Sequence, residues 1–360
     1  MALKDLSPNE KLVFHALVRH TALNDRELSE SVGVKLSTVT AIKNRLKSRG
    51  YFMTVRVPQL QHLGCELLSV NYAHLNAGVA PAKRLEVGRS LLSDFPEIYY
   101  LASDARAGFA LSFNRNYSAA KQNTERFFRV YSESEFLLPE GYETVHFPFT
   151  QCKVSNFFDC ASLLARDFGI EERGGSRPAR DLSRERASSP SALELSRIEK
   201  KVYRGLISNP DLHDSSVAKQ IDVTRQTVTK MRKSFEALGL IRTVRIPNLQ
   251  MLGYEVVSLL HQRYRPSQTL ETRSPLEGPF YEKLPVVFRV AADVEAMEIL
   301  AFHSFREQVE AMVSIARFNR EQRFVAREPH AFVFDLKDLF PIKNHVYDRA
   351  VDRVLLAELA

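Results

Sequence analysis

Two stretches of the chain, about 190 residues apart, show the same succession of apolar and polar positions. In the first, apolar residues recur every three or four positions over 9–20, which predicts an amphipathic helix. A short second helix follows, with Asn24 and Glu27 at the spacing of a capping box. A third helix, capped by Ser37 and ended by Gly50, completes a predicted three-helix unit.

The likeness between the two stretches extends well beyond these helices. Aligning Leu6 with Leu195, an offset of 189 residues, pairs the two copies without a gap through RVPQLQHLG (56–64) and RIPNLQMLG (245–253). Roughly a third of the paired residues are identical, which indicates an internal duplication. The same offset pairs 101–113 with 290–302. After each third helix, a β-branched stretch closed by proline predicts a strand or wing.

The second part of each copy alternates strands and helices. Copy one predicts strands at 66–73, 98–102, 108–113 and 144–149, with helices at 80–94 and 117–132. Copy two predicts strands at 255–262, 286–290, 297–302 and 331–334, a helix at 305–319 and a shortened first helix around 279–283. This β-α-β-β-α-β order is that of the ferredoxin-like motif.

We therefore predict an α+β protein with two winged helix-turn-helix domains and two ferredoxin-like (βαββαβ) domains, arranged as an internal duplication. The predicted domains are a first winged helix-turn-helix at 1–58, a first ferredoxin-like domain at 59–170, a second winged helix-turn-helix at 194–247, and a second ferredoxin-like domain with a C-terminal helix at 248–360. Residues 171–193 are rich in Ser, Arg, Pro and Gly, which predicts a flexible linker.

Composition and charge narrow the function. A net charge of +7 and a pI near 9.2 favour a polyanionic partner. The N-terminus has no signal-peptide pattern and no apolar run is long enough to cross a membrane, so a cytoplasmic protein is expected. Cys65, Cys152 and Cys160 lack CxxC spacing, so neither a disulfide nor a metal site is predicted. No P-loop, HExxH, GxSxG or Rossmann fingerprint occurs, so no cofactor and no catalytic residue are predicted.

The third helix of each unit carries hydroxyl, amide and cationic side chains opposite its apolar stripe, a mixture that suits base edges and phosphates. The predicted partner is double-stranded DNA, read by helices 37–49 and 226–238. A protein-docking module and a DNA-binding protein without sequence preference are the alternatives. The predicted DNA-binding residues are Ser37, Thr38, Thr40, Asn44, Arg45, Arg56, Arg225, Gln226, Thr227, Thr229, Lys230, Lys233 and Arg245.

The segments 25–64 (DRELSESVGVKLSTVTAIKNRLKSRGYF through LQHLG) and 214–253 (DSSVAKQIDVTRQTVTKMRKSFEALGLI through LQMLG) resemble the Lrp/AsnC family of transcriptional regulators. That resemblance implies a fused dimer whose two hinge strands are the repeated nonapeptides. It also implies a regulator that binds promoter DNA, with an asymmetric target because the two recognition helices differ. A small-molecule effector at the ferredoxin-like domains and association of two chains are left open.

Siroheme decarboxylases share this layout and are the rival reading. The resemblance implies histidine and arginine around the ferredoxin-like hairpin for substrate carboxylates. The hairpins offer only Arg106 in copy one and Glu295 in copy two, and the histidines do not recur at matching positions. The sequence therefore predicts a regulator and not an enzyme.

Overall fold

The computed structural model describes residues 6–91, 94–171 and 193–356. The chain divides into two compact units. Unit 1 comprises Met1–Val55, Lys153–Leu182 and Thr243–Lys337, and unit 2 comprises Arg56–Cys152, Ser183–Arg242 and Asp338–Ala360. Each unit thus combines the three-helix segment of one half with the sheet of the other. The predicted linker, except for its two end residues, lies outside the described residues.

The helices of the two three-helix segments are α1 (Pro8–Arg19), α2 (Asp25–Val32) and α3 (Leu36–Ser48) in unit 1, and α7 (Arg197–Ser208), α8 (Asp214–Gln220) and α9 (Arg225–Ala237) in unit 2. The predicted capping box of Asn24 and Glu27 is confirmed. The predicted cap at Ser37 is wrong: Lys35 occupies the N-cap position without a side-chain hydrogen bond, and Ser37 already lies in the first turn. Thr224 caps α9 through the Thr227 amide.

The repeated nonapeptides begin in strands β1 (Phe52–Pro58) and β7 (Ile241–Pro247), which form a two-stranded sheet. In unit 1 the amide of Asn248 donates to the carbonyl of Tyr51. In unit 2 the amide of Gln59 donates to the carbonyl of Leu240. Each nonapeptide ends in a glycine with positive φ, 92° at Gly64 and 82° at Gly253, a conformation that explains the repeated Leu-Gly.

The sheet of unit 1 has the order β11-β8-β10-β9-β6, and all its described pairings are antiparallel. Its strands are β6 (Lys153–Phe157), β8 (Val256–Arg263), β9 (Val286–Ala291), β10 (Glu295–Phe302) and β11 (His330–Asp335). Its helices are α6 (Ala161–Phe168), α10 (Leu270–Tyr281) and α11 (Phe305–Glu321). An apolar cluster that includes Leu260, Leu300 and Ile315 packs α11 against one face of this sheet.

The sheet of unit 2 has the order β12-β3-β4-β2-β5, again antiparallel. Its strands are β2 (Leu67–Leu75), β3 (Ile98–Ser103), β4 (Ala107–Asn114), β5 (Leu137–Pro148) and β12 (Phe340–Lys343). Its helices are α4 (Pro81–Leu91), α5 (Tyr117–Glu133) and α12 (Asp348–Leu356). The two halves therefore carry the same β-α-β-β-α-β order, and the mixed α+β class with antiparallel sheets is confirmed.

Three sequence predictions need correction. The shortened helix around 279–283 is the full helix α10, which Thr269 caps and which contains Pro275 and Pro279. The edge strands β6 and β12 were not predicted, because runs of five and four residues carry little periodicity. The repeat offset is 189 at β2 and β8, 188 from β3 and β9 through α5 and α11, and 187 at β5 and β11, so Ala107, not Arg106, matches Glu295.

Candidate functional site

Most of the side chains predicted to bind DNA lie on the outer faces of α3 and α9. The exposed residues of this set are Ser37, Asn44, Arg45, Arg225, Gln226, Lys230 and Lys233, and the half-buried ones are Thr38 and Thr227. Arg45 forms an ion pair with Glu10 of α1 at 2.7 Å. Of these exposed residues, α3 contributes one cation, Arg45, and α9 contributes three, Arg225, Lys230 and Lys233. Binding of DNA by these residues stays a prediction.

Two members of the predicted set form the same internal contact in both halves. Thr40 donates to the first residue of α2, Asp25, at 3.0 Å, and Lys43 donates to the same carboxylate at 2.6 Å. In unit 2, Thr229 donates to Asp214 at 2.8 Å, and Arg232 forms an ion pair with Asp214 at 3.0 Å. These hydroxyls fasten the third helix of each segment to the second.

The two wing arginines also have internal partners. Arg56 is 8% exposed and donates to the carbonyls of Leu206 and Asn209, at 3.0 and 3.3 Å. Burial lowers the pKa of the Arg56 guanidinium. Arg245 donates to the carbonyl of Leu17 at 2.5 Å. Because the last carbonyls of a helix lack intrahelical partners, both arginines complete a helix C-terminus.

A cluster of ionisable side chains lies at the hairpin end of the unit 1 sheet. Glu295 stands directly across from Arg263, whose Nε lies 3.3 Å from its carboxylate. The Nε2 of His261, two residues along β8 on the same face, lies 3.5 Å from the same oxygen. His330 is the cross-strand neighbour of His261 on β11, at a spacing that brings their side chains into contact range.

The members of the cluster differ in their exposure to solvent. His261 is buried, Arg263 and Glu295 are each about one-third exposed, and His330 is exposed. The hydrogen bond with His261, opposed by burial and aided by Arg263, holds the pKa of Glu295 below its usual value. An ionised Glu295 orients the imidazole and the guanidinium. We call these four residues the hairpin cluster.

Behind the hairpin cluster, on the helix face of the same sheet, lies a buried network of charged groups. Arg289 donates to Glu277 at 2.7 Å and to Glu298 at 3.3 Å. Gln262 donates to Glu298 at 2.9 Å. Arg273 bonds Glu277 at 3.1 Å and the carbonyls of the β9–β10 turn at 2.6 and 2.7 Å. The network therefore braces the turn that precedes Glu295.

Burial dominates the ionisation of one carboxyl in this network. Glu298 is fully buried, its Oε2 has no hydrogen-bond partner, and burial raises its pKa to about 7 although Arg289 opposes this. Burial acts in the same direction on Glu277, but Arg289 and Arg273 together hold the pKa of Glu277 below its usual value. The network therefore holds one ionised carboxylate and one that titrates near neutrality.

Unit 2 differs at the matching positions of both sites. In place of the hairpin cluster it has Tyr72, His74, Ala107 and Glu143, and the Tyr72 hydroxyl donates to Glu143 at 2.7 Å. Asn319 also belongs to the network, because its amide donates to Gln262. Apart from Arg273, the network residues of unit 1 are Gln262, Glu277, Arg289, Glu298 and Asn319, and their counterparts are Ala73, Gly88, Leu101, Ala110 and Tyr131. Four of these five counterparts line a small cavity instead. Only the turn-bracing arginine recurs, as Arg84.

Within the described ranges, no group of three or more His, Cys, Asp or Glu side chains is arranged to hold a metal ion. The cysteines Cys65, Cys152 and Cys160 are buried thiols, and burial raises the pKa of Cys65 to about 12. Among the helices that the structure describes, none combines the length and the apolar character needed to span a bilayer.

The full-length fold resembles that of a siroheme decarboxylase. The crystal structure of the siroheme decarboxylase NirDL matches 97% of this chain and 100% of its own, with a TM-score of 0.52 and 9% sequence identity. Its complex with an iron-uroporphyrin III analogue matches 98% of this chain and 100% of its own, with the same score and identity. At these identities the likeness concerns the fold alone.

Regulators of the AsnC family match a smaller part. The Agrobacterium tumefaciens regulator covers 39% of this chain and 90% of its own, at a TM-score of 0.32 and 11% identity. Escherichia coli AsnC covers 39% of this chain and 91% of its own, at 0.30 and 17%. No protein-family model and no curated protein matches the sequence.

The expectation that the protein is not an enzyme is contradicted by the full-length match, because the protein matched over almost the entire chain is an enzyme.

Two features of the sequence concealed the hairpin cluster. Its residues come from three strands, and their convergence depends on strand register, which no local motif records. The histidines of the cluster also do not recur at matching positions, because the cluster occurs in one half only.

Proposed function

We propose that this protein is an enzyme that removes carboxyl groups from an iron-containing tetrapyrrole, the class of substrate named for NirDL. The observation that carries the proposal is the hairpin cluster, where two histidines and an arginine surround one carboxylate at an accessible end of a sheet. The full-length likeness to a decarboxylase supports it, because the cluster lies in a fold that hosts this chemistry in another protein.

The residues of the hairpin cluster can be given roles in such a reaction. Arg263 binds a side-chain carboxylate of the macrocycle, since a guanidinium pairs with a carboxylate through two parallel hydrogen bonds. His330, the exposed histidine, meets the substrate, and Glu295 orients the buried His261. Decarboxylation breaks the bond between the carboxyl carbon and its methylene, CO2 leaves, and a histidine delivers a proton to the methylene carbon.

Binding of iron uroporphyrin III tests the site. We expect a saturable absorbance change when the full-length protein is titrated with this compound, and a Kd at least tenfold higher for Arg263→Ala. His74→Ala is the matched control, because His74 occupies the equivalent position on β2 of unit 2. Equal affinity of Arg263→Ala, His74→Ala and the parent protein excludes the hairpin cluster as the binding site.

We further propose that the chain is a tandem duplication, with the predicted domains at 1–58, 59–170, 194–247 and 248–360. The shared element order, the repeated Asp–Thr contact between second and third helices, and the recurrence of Arg84 as Arg273 support this. In such a fused pair, unit 1 carries the buried network of charged groups, and unit 2 carries mostly apolar residues at the matching positions.

DNA binding through α9 is a second candidate activity. Arg225, Gln226, Lys230 and Lys233 are exposed together on this helix. Cations and an amide on one helical face can contact phosphates and base edges.

A further inference from the structure

An apolar patch lies exposed on unit 1, on helix α11 and the neighbouring edge strand β11. Phe305, Val309 and Val313 follow each other at helical spacing on one side of α11 and are 62%, 43% and 53% exposed. Val333 of β11 is 41% exposed. Together these four side chains expose on the order of 300 Å² of apolar surface, the size of patch that often marks an interaction site. We call them the α11 patch.

The corresponding residues of unit 2 show that the fold does not require an apolar surface there. Tyr117, Lys121 and Glu125 take the three positions on α5, and Lys121 and Glu125 form an exposed ion pair at 3.2 Å. His146 takes the position of Val333, and its ring lies 5.2 Å from that of Tyr117. This contact also places the first residue of the helix stripe beside the edge strand. Unit 2 is polar where unit 1 is apolar.

The strand that borders the α11 patch can accept another strand. β11 is an edge strand that pairs with β8 on one side, and within the described residues no strand pairs with its other side. Ala331, Val333 and Asp335, which alternate along its helix face, are exposed. An edge of this kind offers a row of free amide and carbonyl groups.

We propose that the α11 patch and the β11 edge bind a second copy of this chain. Antiparallel pairing of β11 with its own copy, about a two-fold axis perpendicular to the sheet at Val333, is an isologous contact that closes on itself. It places the two α11 helices side by side in opposite directions. The four apolar side chains of each copy then form the centre of the interface.

The charges on α11 complement this arrangement. Its exposed N-terminal half carries Glu307 and Glu310 against Arg306, and its C-terminal half carries Arg317 and Arg320 against Glu321. Antiparallel helices bring the acidic half of one copy to the basic half of the other. Since a standard interface buries roughly 800 Å² on each partner, the apolar patch supplies a central part and the strand edge and the charges supply the rest.

Sedimentation velocity of the full-length protein over a range of concentrations tests the proposal. We expect a reversible dimer whose Kd rises at least tenfold in the double variant Val309→Lys plus Val313→Glu, which installs the residues that unit 2 carries at these positions. Leu276→Lys, at an exposed residue of α10 outside the patch, is the control and keeps the dimer. Because these positions are exposed, unchanged circular dichroism and Tm are expected in all variants.

Cross-linking tests the proposed two-fold axis at Val333. Residues that face each other in an antiparallel pair are close enough for a disulfide, so oxidised Val333→Cys forms a covalent dimer. Val346→Cys, an exposed position in unit 2, does not. The native cysteines are buried and give no background. A monomer at every concentration, or a dimer that neither the double variant nor Val333→Cys affects, overturns the proposal.

Discussion

At the residue scale, the wing arginines Arg56 and Arg245 show that the same sequence position can suit either DNA contact or a structural role. In the strand pattern, Arg56 and Arg245 resemble cations that face a phosphate backbone. In the structure each donates to carbonyls at the C-terminus of a helix, Arg56 to those of α7 and Arg245 to that of α1. A guanidinium in this position satisfies carbonyl groups that otherwise lack partners, so its first role is structural.

We expect Arg56→Met to lower the free energy of unfolding by about 2 kcal/mol, because it removes two hydrogen bonds from a buried cation and leaves their carbonyls without partners. Chemical denaturation measures the change. Arg225→Met, at an exposed position of α9, serves as the control and stays within about 0.5 kcal/mol of the parent. A stability of Arg56→Met equal to that of the parent contradicts the structural role.

The buried carboxyl of Glu298 makes stability depend on pH. Burial raises its pKa from 4.5 to about 7, so above pH 4.5 the folded protein holds a proton that the unfolded chain has lost. The free energy of unfolding therefore falls as pH rises from about 4.5 to about 7, by roughly 3 kcal/mol from this group, and levels off above.

Glu298→Gln removes this titration, so the stability difference between about pH 5 and about pH 8 becomes smaller by a similar amount. Chemical denaturation at the two pH values measures it. Glu271→Gln, an exposed carboxylate in the first turn of α10, is the control and keeps the parent's pH dependence. The same dependence in Glu298→Gln shows that the carboxyl is ionised throughout.

At the scale of elements, the sequence predicts what is encoded locally. The capping box of α2 and the order of strands and helices in both halves follow from periodicity and from turn residues. The edge strands β6 and β12 do not, because each completes the sheet of the half to which it is not adjacent in sequence. The hairpin cluster escapes prediction for the same reason, since register across three strands decides which side chains meet.

Helix α6, which follows β6, is held to the rest of unit 1 by a shared carboxylate. Asp167 accepts from the Tyr254 hydroxyl at 2.6 Å, and the Nε2 of His303 lies 3.2 Å from the same oxygen. The two rings stack at 4.0 Å. The hydrogen bond with Asp167 raises the pKa of His303 above 6.5, with Glu307 acting in the same direction.

This attachment weakens as pH rises. Because the folded pKa of His303 is raised, its contribution is present in full below pH 6.5 and is lost as pH rises through the folded value. We expect His303→Ala to speed amide hydrogen exchange in 161–168 at about pH 6, and to differ little from the parent at about pH 9. His213→Ala, at an exposed histidine, should match the parent at both values. Equal exchange in His303→Ala at pH 6 rules out the attachment.

At the scale of the whole molecule, the two halves share a fold and differ in chemistry. The residues that recur in both halves have structural roles: they form the Leu-Gly turns, the Asp–Thr contacts and the turn-bracing arginines. The residues that set unit 1 apart, such as Arg289 and Glu298, replace apolar residues of unit 2. A buried ionic network costs desolvation energy that its apolar counterpart avoids, so its retention in one half is an argument for function there.

DNA binding, the second candidate activity, can be distinguished from catalysis by the dependence of its affinity on salt concentration. If each three-helix segment contacts about four phosphates, log affinity should fall against log salt with a slope of roughly −7. Lys230→Ala plus Lys233→Ala should reduce the magnitude of the slope by about 2 in fluorescence anisotropy, while Lys219→Ala, an exposed lysine on α8, should leave it unchanged. Binding that does not respond to salt contradicts this activity.

Turnover of siroheme under anaerobic conditions tests whether the hairpin cluster decarboxylates a tetrapyrrole. Mass spectrometry of the extracted macrocycle should show the stepwise loss of CO2 with the parent protein. The rate should fall at least a hundredfold with His330→Ala, and change little with Glu143→Gln, the matched residue in unit 2. Siroheme recovered intact from the parent protein, or turned over equally by His330→Ala, contradicts the proposed activity of the cluster.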